Sequence, residues 1–415
     1  MNNSQFPIAW IRESFPALNN GEDFVFFDNG AGAQVPQRVL DAVQHHLVSR
    51  NVQRGGRYRH SREVDEAIRS ARESVATFLN AREDAEVAFG MNATSFIRIV
   101  SQAIAENLGA RREIIVSDLD HEANVATWMD LQKRGFEIRW WKMREDGTLQ
   151  TADLEPLLSS QTRLVACTVA SNALGSIVNV KEVARMAHAA GAEVFLDAVH
   201  YAPHGPLDVQ DLDCDYLVCS GYKIFAPHMG FVWGKRAALE ALPTFREDFI
   251  PNQVPMKIEV GTFVYENVAG MDAAIGYLEE LGSRVGVDAK ATRRAKLVQA
   301  MQAIRAYEAS LSQELIKELL MLDGATVYGV CDPLKIRERV PTVCFNLRGV
   351  APATVSDACA AQGIGVRDGN MYSPRLLQRL NISADTGAVR ASLVHYNTSD
   401  EIHRFVDVLR RISRN

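Results

Sequence analysis

Lys223 has the most specific chemical context in this 415-residue chain. It stands in DYLVCSGYKIFAPHMGFVWG (215–234), where an apolar run ends in Ser220 and Gly221 and a Pro/Gly-rich turn follows. A lysine buried at a strand end loses proton affinity, and its free amine can then condense with an aldehyde. Asp197 closes an earlier apolar run in EVFLDAVHYAPHG (193–205). A carboxylate there can pair with a protonated pyridine nitrogen and keep the ring an electron sink for a carbanion. In GMNATSFIRIV (90–100) a run passes through Asn92, Thr94 and Ser95 into a helical pattern; hydroxyls and free backbone N–H groups at a helix N-terminus make a phosphate cup. His121, in SDLDHEANVATW (117–128), follows another run, at a position from which an imidazole could lie flat on a heteroaromatic ring. Taken singly, each has an ordinary alternative: a solvated lysine, a strand-end cap for Asp197, helix caps for Thr94, Ser95 and His121. Together they supply an aldehyde partner, a pyridine partner and a phosphate seat, the functional groups of pyridoxal 5′-phosphate.

These residues need a scaffold that gathers strand ends. From about residue 85 to 235, apolar β-rich runs alternate with helical patterns: EVAFG, EIIVSD, RLVACTVA, AEVFLDAV and DYLVCSG, with SFIRIVSQAIAENLG, ANVATWMDLQKRG and KEVARMAHAAG between them. Such alternation predicts a mostly parallel α/β sheet with helices on both faces. Ligands in such sheets lie beyond the carboxyl ends of the strands, so Asn172, Asp197 and Ser220 are expected in one crevice. Residues 286–321 read as a long polar helix leading to a C-terminal α/β unit, which holds TVCFNLRG, ATVSDACAAQG, IGVRDG, AVRASLVHYN and the amphipathic SDEIHRFVDVLRRI. The expected division is an N-terminal segment, 1–25, joining the smaller unit; a large domain, 26–285; and a connecting helix with the small C-terminal domain, 286–415.

Composition narrows the class. Hydrophobic residues make up 47% of the chain, enough for a large core, and 45 basic against 51 acidic residues give a net charge of −6 with no basic stripe for nucleic acid. The six cysteines (Cys167, Cys214, Cys219, Cys331, Cys344 and Cys359) form no CxxC pair and no metal-ligand spacing, and read as reduced thiols. No metal site is expected. MNNSQFPIAWIRESFP shows no targeting pattern and no run of about 18 apolar residues occurs, so a soluble, cytoplasmic protein without a membrane or nucleic-acid partner is expected.

The joint pattern resembles the fold-type I, class V aminotransferase superfamily of pyridoxal-phosphate enzymes and is most similar to the cysteine desulfurases. The likeness runs from FFDNGAGAQVPQRVLDAV (26–43) to SLVHYNTSDEI (392–402). It implies a large domain on a mostly parallel seven-stranded sheet, a smaller C-terminal α/β domain, and a homodimer with composite active sites. By that resemblance Lys223 is the Schiff-base lysine, Asp197 the pyridinium partner and His121 the ring-stacking imidazole. The resemblance likewise implies that Asn172 contacts the cofactor's phenolic oxygen, where His200 can still donate, that Thr94 and Ser220 serve the phosphate, to which Tyr222 can still offer a hydroxyl, and that Gly261 and Thr262 reach the phosphate of the neighbouring subunit. Arg390 matches the arginine that forks onto the substrate α-carboxylate, with Asn172 beside it.

The chain also departs from that pattern. Desulfurases accept sulfur on a loop cysteine, and in the matching VRDGNMYSPRLL (366–377) Tyr372 stands in its place; no cysteine follows Cys359. Tyr222 and His200 replace a histidine and a glutamine. A persulfide needs a thiolate, so the expected activity is β-elimination by a carbon–sulfur lyase on cysteine, cystine or a cysteine S-conjugate, with Tyr372 among the substrate contacts. A class V aminotransferase or epimerase is the alternative. A desulfurase proper and a catalytically silent binding subunit stand behind these, the latter at odds with the retained site set. The exposed-looking cluster Arg54, Arg57, Tyr58, Arg59 and His60 reads either as a solvated loop or as a contact for an acidic substrate group.

Overall fold

The structure is a computed structural model that describes residues 6–413 apart from 108, 287 and 289. Thirteen strands form three sheets. A two-residue strand β1 (Val25–Phe26) precedes seven strands of the large sheet: β2 (Val87–Gly90), β3 (Glu113–Ser117), β4 (Glu137–Trp141), β5 (Thr162–Thr168), β6 (Glu193–Asp197), β7 (Tyr216–Ser220) and β8 (Gly230–Gly234). Their spatial order is β2-β8-β7-β6-β5-β3-β4. Six of the seven strands run in the same direction; β8 is the reversed one, antiparallel to both β2 and β7. The central strands β5, β6 and β7 are buried along almost their whole length, which is why they read as continuous apolar runs rather than alternating ones. β4 carries Glu137 and Arg139 on an exposed sheet edge, and those charges hide it from a search for apolar runs.

Two apolar layers cover the sheet. One is centred on helix Ala93–Glu106 with Trp128 and Phe195, the other on helices Arg59–Leu79 and Tyr265–Arg284. The C-terminal unit is a four-stranded sheet in the order β12-β13-β10-β9, from β9 (Ala325–Tyr328), β10 (Thr342–Leu347), β12 (Arg367–Gly369) and β13 (Ala388–Ser392), with β11 (Ile364–Gly365) pairing in parallel with β1. The expected connecting helix is Arg293–Leu320. Its first half packs Leu297, Met301 and Ile304 into the large core, and its second half packs Leu311, Leu315 and Leu319 into the small one. The chain-end residues 1–5 and 414–415, and residues 287 and 289 beside the expected boundary at 285, lie outside the described residues. The N-terminal tie to the C-terminal unit extends past residue 25: Asp28 bridges Ser392, and Gly30 N–H donates to Ser392 Oγ at 2.7 Å. No helix among the described residues is long and apolar enough to cross a membrane.

One close approach sets the site's corner. Ser220 and Gly230 are register partners in β7 and β8, and a Cβ on Gly230 would lie 2.6 Å from the Asn92 backbone. Only a hydrogen there lets the turn before helix Ala93–Glu106 rest on the sheet end. Gly230→Ala is expected to displace that turn and destabilise the fold by about 1–3 kcal/mol, read as a lower midpoint in chemical denaturation with an unchanged slope.

Candidate active site

The carboxyl ends of the large-sheet strands open into one cavity, lined by Thr94, His121, Asn172, Asp197, His200, Ser220, Tyr222 and Lys223 among others. Residues more than a hundred positions apart meet there because parallel strands β3, β5, β6 and β7 all end on the same side. Lys223 lies in a single 3-10 turn after β7, is 6% exposed, and among the described residues its Nζ has no hydrogen-bond partner. Burial, reinforced by the Arg390 guanidinium, lowers its pKa to about 8, against a smaller opposing pull from Asp197. Asp197 is the last residue of β6; its Oδ1 accepts from Val199 N–H at 2.9 Å, and burial raises its carboxyl above the usual range.

At the opposite end, the N-terminus of helix Ala93–Glu106 borders the cavity through Ala93 and Thr94. Asn92 caps the helix, its Oδ1 accepting from Ser95 N–H at 2.9 Å and from Ser95 Oγ at 3.0 Å, while Ala93 N–H donates to Ser220 Oγ at 3.1 Å. Thr94 and Ser220 therefore line the cavity, whereas the hydroxyl of Ser95 is turned back onto its own cap and Ser95 is not on the wall. Beside His121 in sequence runs a buried polar chain: Trp128 Nε1 donates to Asn124, Asn124 Nδ2 donates to Asp120 at 2.7 Å, and Ser117 Oγ donates to the same carboxyl. Ala123 N–H donates to His121 Nδ1 at 3.1 Å, so the ring is neutral with its proton on Nε2; burial first, then Lys223, lowers its pKa to about 4.

The C-terminal unit brings Arg390 near enough to Lys223 to help lower its pKa, although neither Arg390 nor Tyr372 is among the residues lining the cavity. Arg390, 1% exposed, donates from Nη1 to the Asn172 carbonyl at 2.9 Å and from Nη2 to Asp28 at 3.0 Å; Arg367 forks onto the same Asp28 carboxylate, closest at 2.7 Å. Gly30 is flat against this guanidinium, where a Cβ would fall 3.0 Å from Arg390 Cζ. The Asn172 side chain, expected to face the cofactor, donates to the Met371 carbonyl at 2.7 Å and accepts from Ser373 Oγ at 3.1 Å. Tyr372 is 55% exposed, with its ring 5.7 Å from that of His121 and its hydroxyl 3.5 Å from Arg367 Nη1. Gly261 and Thr262 do not line this cavity; both are exposed, and Thr262 Oγ1 accepts from Gln53 at 2.6 Å. Arg54 pairs with Asp65 and Arg59 with Glu63, while Arg57, Tyr58 and His60 are exposed.

Asp28, Arg367 and Asp120 escaped the sequence-based search. Asp28 had a usable signal, an acid directly before a glycine-rich turn in FFDNGAG. Arg367 and Asp120 gave none, because their importance rests on partners that only the tertiary structure brings near.

The donor set fits pyridoxal 5′-phosphate. A free amine at Lys223 and a carboxylate at Asp197, with no hydrogen bond to its Oδ2 among the described residues, occur with an imidazole face, the hydroxyl of Thr94 at a helix N-terminus and that of Ser220 at the end of β7. Beside this set, the buried nitrogens His200 Nδ1 and Arg390 Nε have no hydrogen-bond partner among the described residues.

Comparison with known proteins agrees with the geometry. The class-V aminotransferase family model matches residues 25–405. A probable cysteine desulfurase of Synechocystis is 34% identical, over 98% of this chain and 96% of its own length. The aminotransferase-like protein FGM3 of Gibberella zeae is 33% identical, over 99% and 100%. Among solved structures, the cysteine desulfurase of Thermococcus onnurineus superposes with a TM-score of 0.87 at 23% identity over the whole of both chains. The cysteine desulfurase CsdA of Escherichia coli superposes with a TM-score of 0.83 at 26% identity, over 98% of each. The chain belongs to the class V aminotransferase family of pyridoxal-phosphate-dependent enzymes, in its cysteine desulfurase-like branch.

Proposed function

We propose that this enzyme is a carbon–sulfur lyase that β-eliminates a sulfur leaving group from cysteine, cystine or a cysteine S-conjugate. The observation that carries the reading is the placement of the thiols. Cys167, Cys214, Cys219, Cys344 and Cys359 are buried, Cys331 is half-buried with its Sγ donating to backbone carbonyls, and none lines the cavity. Burial raises the pKa of every one, so none is a thiolate ready to take sulfur. Tyr372 occupies the loop over His121 instead.

Pyridoxal phosphate, when bound, supplies the aldehyde for the amine and the electron sink for charge at the substrate α-carbon. The protein's own groups divide the remaining work. Asp197 would hold the pyridine nitrogen protonated, while Thr94, Ser220 and the amides of helix Ala93–Glu106 would seat the phosphate, with Tyr222 beside them. His121 would cover one ring face, and Asn172 and His200 would border the other edge. Arg390 would orient the substrate carboxylate. The Lys223 amine would take the α-proton, after which the Cβ–S bond breaks with both electrons leaving on sulfur; hydrolysis of the remainder gives pyruvate and ammonia. The exposed Gly261 and Thr262, unused by their own chain's cavity, support a homodimer in which they complete the partner's site. The likeness to an aminotransferase-like protein favours transamination or epimerisation as the second reading.

Two outcomes follow. Incubating the cofactor-loaded protein with L-cysteine, L-cystine or cysteine S-conjugates is expected to release pyruvate and ammonia in equal amounts, and Lys223→Ala to lose the reaction by at least about 1,000-fold. Bound cofactor without pyruvate would move the second reading to first place. The protonated lysine cannot attack an aldehyde, so the rate at which the apoprotein captures pyridoxal phosphate is expected to rise with pH and level off above the Lys223 value of about 8. A free surface lysine would go on gaining rate toward pH ~10.4, and that profile would exclude the buried amine.

A further inference from the structure

Asn172 lines the cavity, yet both ends of its carboxamide are engaged from outside the wall, by the 370–373 turn. Its backbone has little freedom. In the turn after β5, Ser171 Oγ accepts from the N–H groups of Ala173 and Leu174 at 3.4 and 3.2 Å, Gly175 N–H donates to the Ser171 carbonyl at 2.9 Å, and Arg390 Nη1 holds the Asn172 carbonyl. What remains open is which end of the amide, donor or acceptor, serves a ligand. The Met371 carbonyl can only accept, and it therefore selects Nδ2. Ser373 makes the other contact: its Oγ donates to Asn172 Oδ1 at 3.1 Å, and both residues are buried, Ser373 to 1% exposure. That hydroxyl is withheld from its ordinary use. Ser373 is the N-cap of helix Pro374–Arg379, a position where serine usually accepts from an N–H of the first turn, and here no such side-chain bond forms.

We infer that Ser373 is a positioning residue: through Asn172 Oδ1 it fixes the carboxamide with Nδ2 as the end offered to the bound cofactor. Nδ2 carries two hydrogens and uses one on Met371, which leaves one for a cofactor oxygen. The two contacts of the turn act differently. Met371 alone holds the amide by one bond, about which it can swing; Ser373, on the other terminal atom, sets its plane. Without the serine hydroxyl the buried Oδ1 also loses its one donor among the described residues, and the amide turns to recover one. The clamp is electrically neutral. Lys223, Asp197, His121, His200 and Tyr222, which share the cavity wall, and Arg390 behind the Asn172 carbonyl all keep their places when Ser373 changes. Ser373 directly follows Tyr372, so the residue standing in place of the loop cysteine and the group that orients Asn172 belong to one turn. The inference rests on the cofactor assignment, with Asn172 at the phenolic oxygen, and not on which reaction follows.

A hydrogen bond to the phenolic oxygen favours its ionised form, so loss of an oriented donor raises the pH midpoint of the cofactor's visible absorption. In the cofactor-loaded protein, Ser373→Ala is expected to raise that midpoint by about half a unit or more. Ser373→Thr, which keeps the hydroxyl, is expected to restore it, and Ser373→Ala to add nothing once Asn172→Ala is present. A purely structural serine would lower the melting temperature and leave the absorption midpoint in place; that result overturns the proposal, as does a shift that persists in full beside Asn172→Ala. Failure of the cofactor assignment looks different, since the unsubstituted protein would then show no visible band to titrate. If melting or bound cofactor shows that Ser373→Ala has not kept the fold, the comparison passes to Ser373→Val against Ser373→Thr, side chains of one shape that differ in the hydroxyl, and the same outcomes decide.

Discussion

Burying an amine beside a guanidinium is the constraint on which this site depends. Lys223 and Arg390 both lie inside the protein, and both cannot remain charged there at low cost. The conflict resolves unevenly because a guanidinium holds its proton far more tightly than an amine and because Arg390 has a carboxylate, Asp28, within 3.0 Å. Lys223 has no hydrogen-bonding partner among the described residues, so it is the group that yields its proton. The nucleophilic amine is thus a consequence first of burial and then of the neighbouring Arg390, while Asp28, which holds Arg390 and is itself tied by a bridge to Ser392, pulls weakly the other way.

The same carboxylate joins the two halves of the molecule. Asp28 follows β1, Arg367 and Arg390 belong to the C-terminal sheet, and the Asn172 carbonyl that completes the Arg390 contacts lies in the turn after β5. Over this junction passes the 370–373 turn, in which Met371 and Tyr372 both adopt left-handed backbone angles, φ 54° and 57°. Such conformations in residues with a Cβ persist only where surroundings enforce them. Here the enforcement comes from the Asn172 side chain on the Met371 carbonyl and from Glu122 N–H on the Tyr372 carbonyl at 2.8 Å. The loop is therefore held down beside the cavity by Asn172 of its wall and by the Glu122 backbone next to His121.

Much of this was legible in the chain and much was not, and the division follows the range of the interactions. Residues that announce themselves do so through a few neighbours: Lys223 after an apolar run, Asp197 at the end of another, Thr94 at the start of an apolar-periodic helix. Backbone pleat and helical period act over a handful of positions, so the alternation that makes the α/β sheet is written locally. β4 was obscured by the charges of an edge strand, and Ser95, read from its type as a phosphate contact, is bound instead to its own helix cap. Packing alone decided which distant groups share a charge or a proton. Asp28 meets Arg390, His204 meets Glu308 and Asn172 meets Met371 across separations of roughly 100 to 360 residues, and no local periodicity encodes such pairings. Residue types and the alternation of strands with helices were set by the sequence alone; the spatial order of the strands and the electrostatic state of the site were decided by the tertiary structure, because they depend on burial and on distances that exist only once the chain has closed on itself.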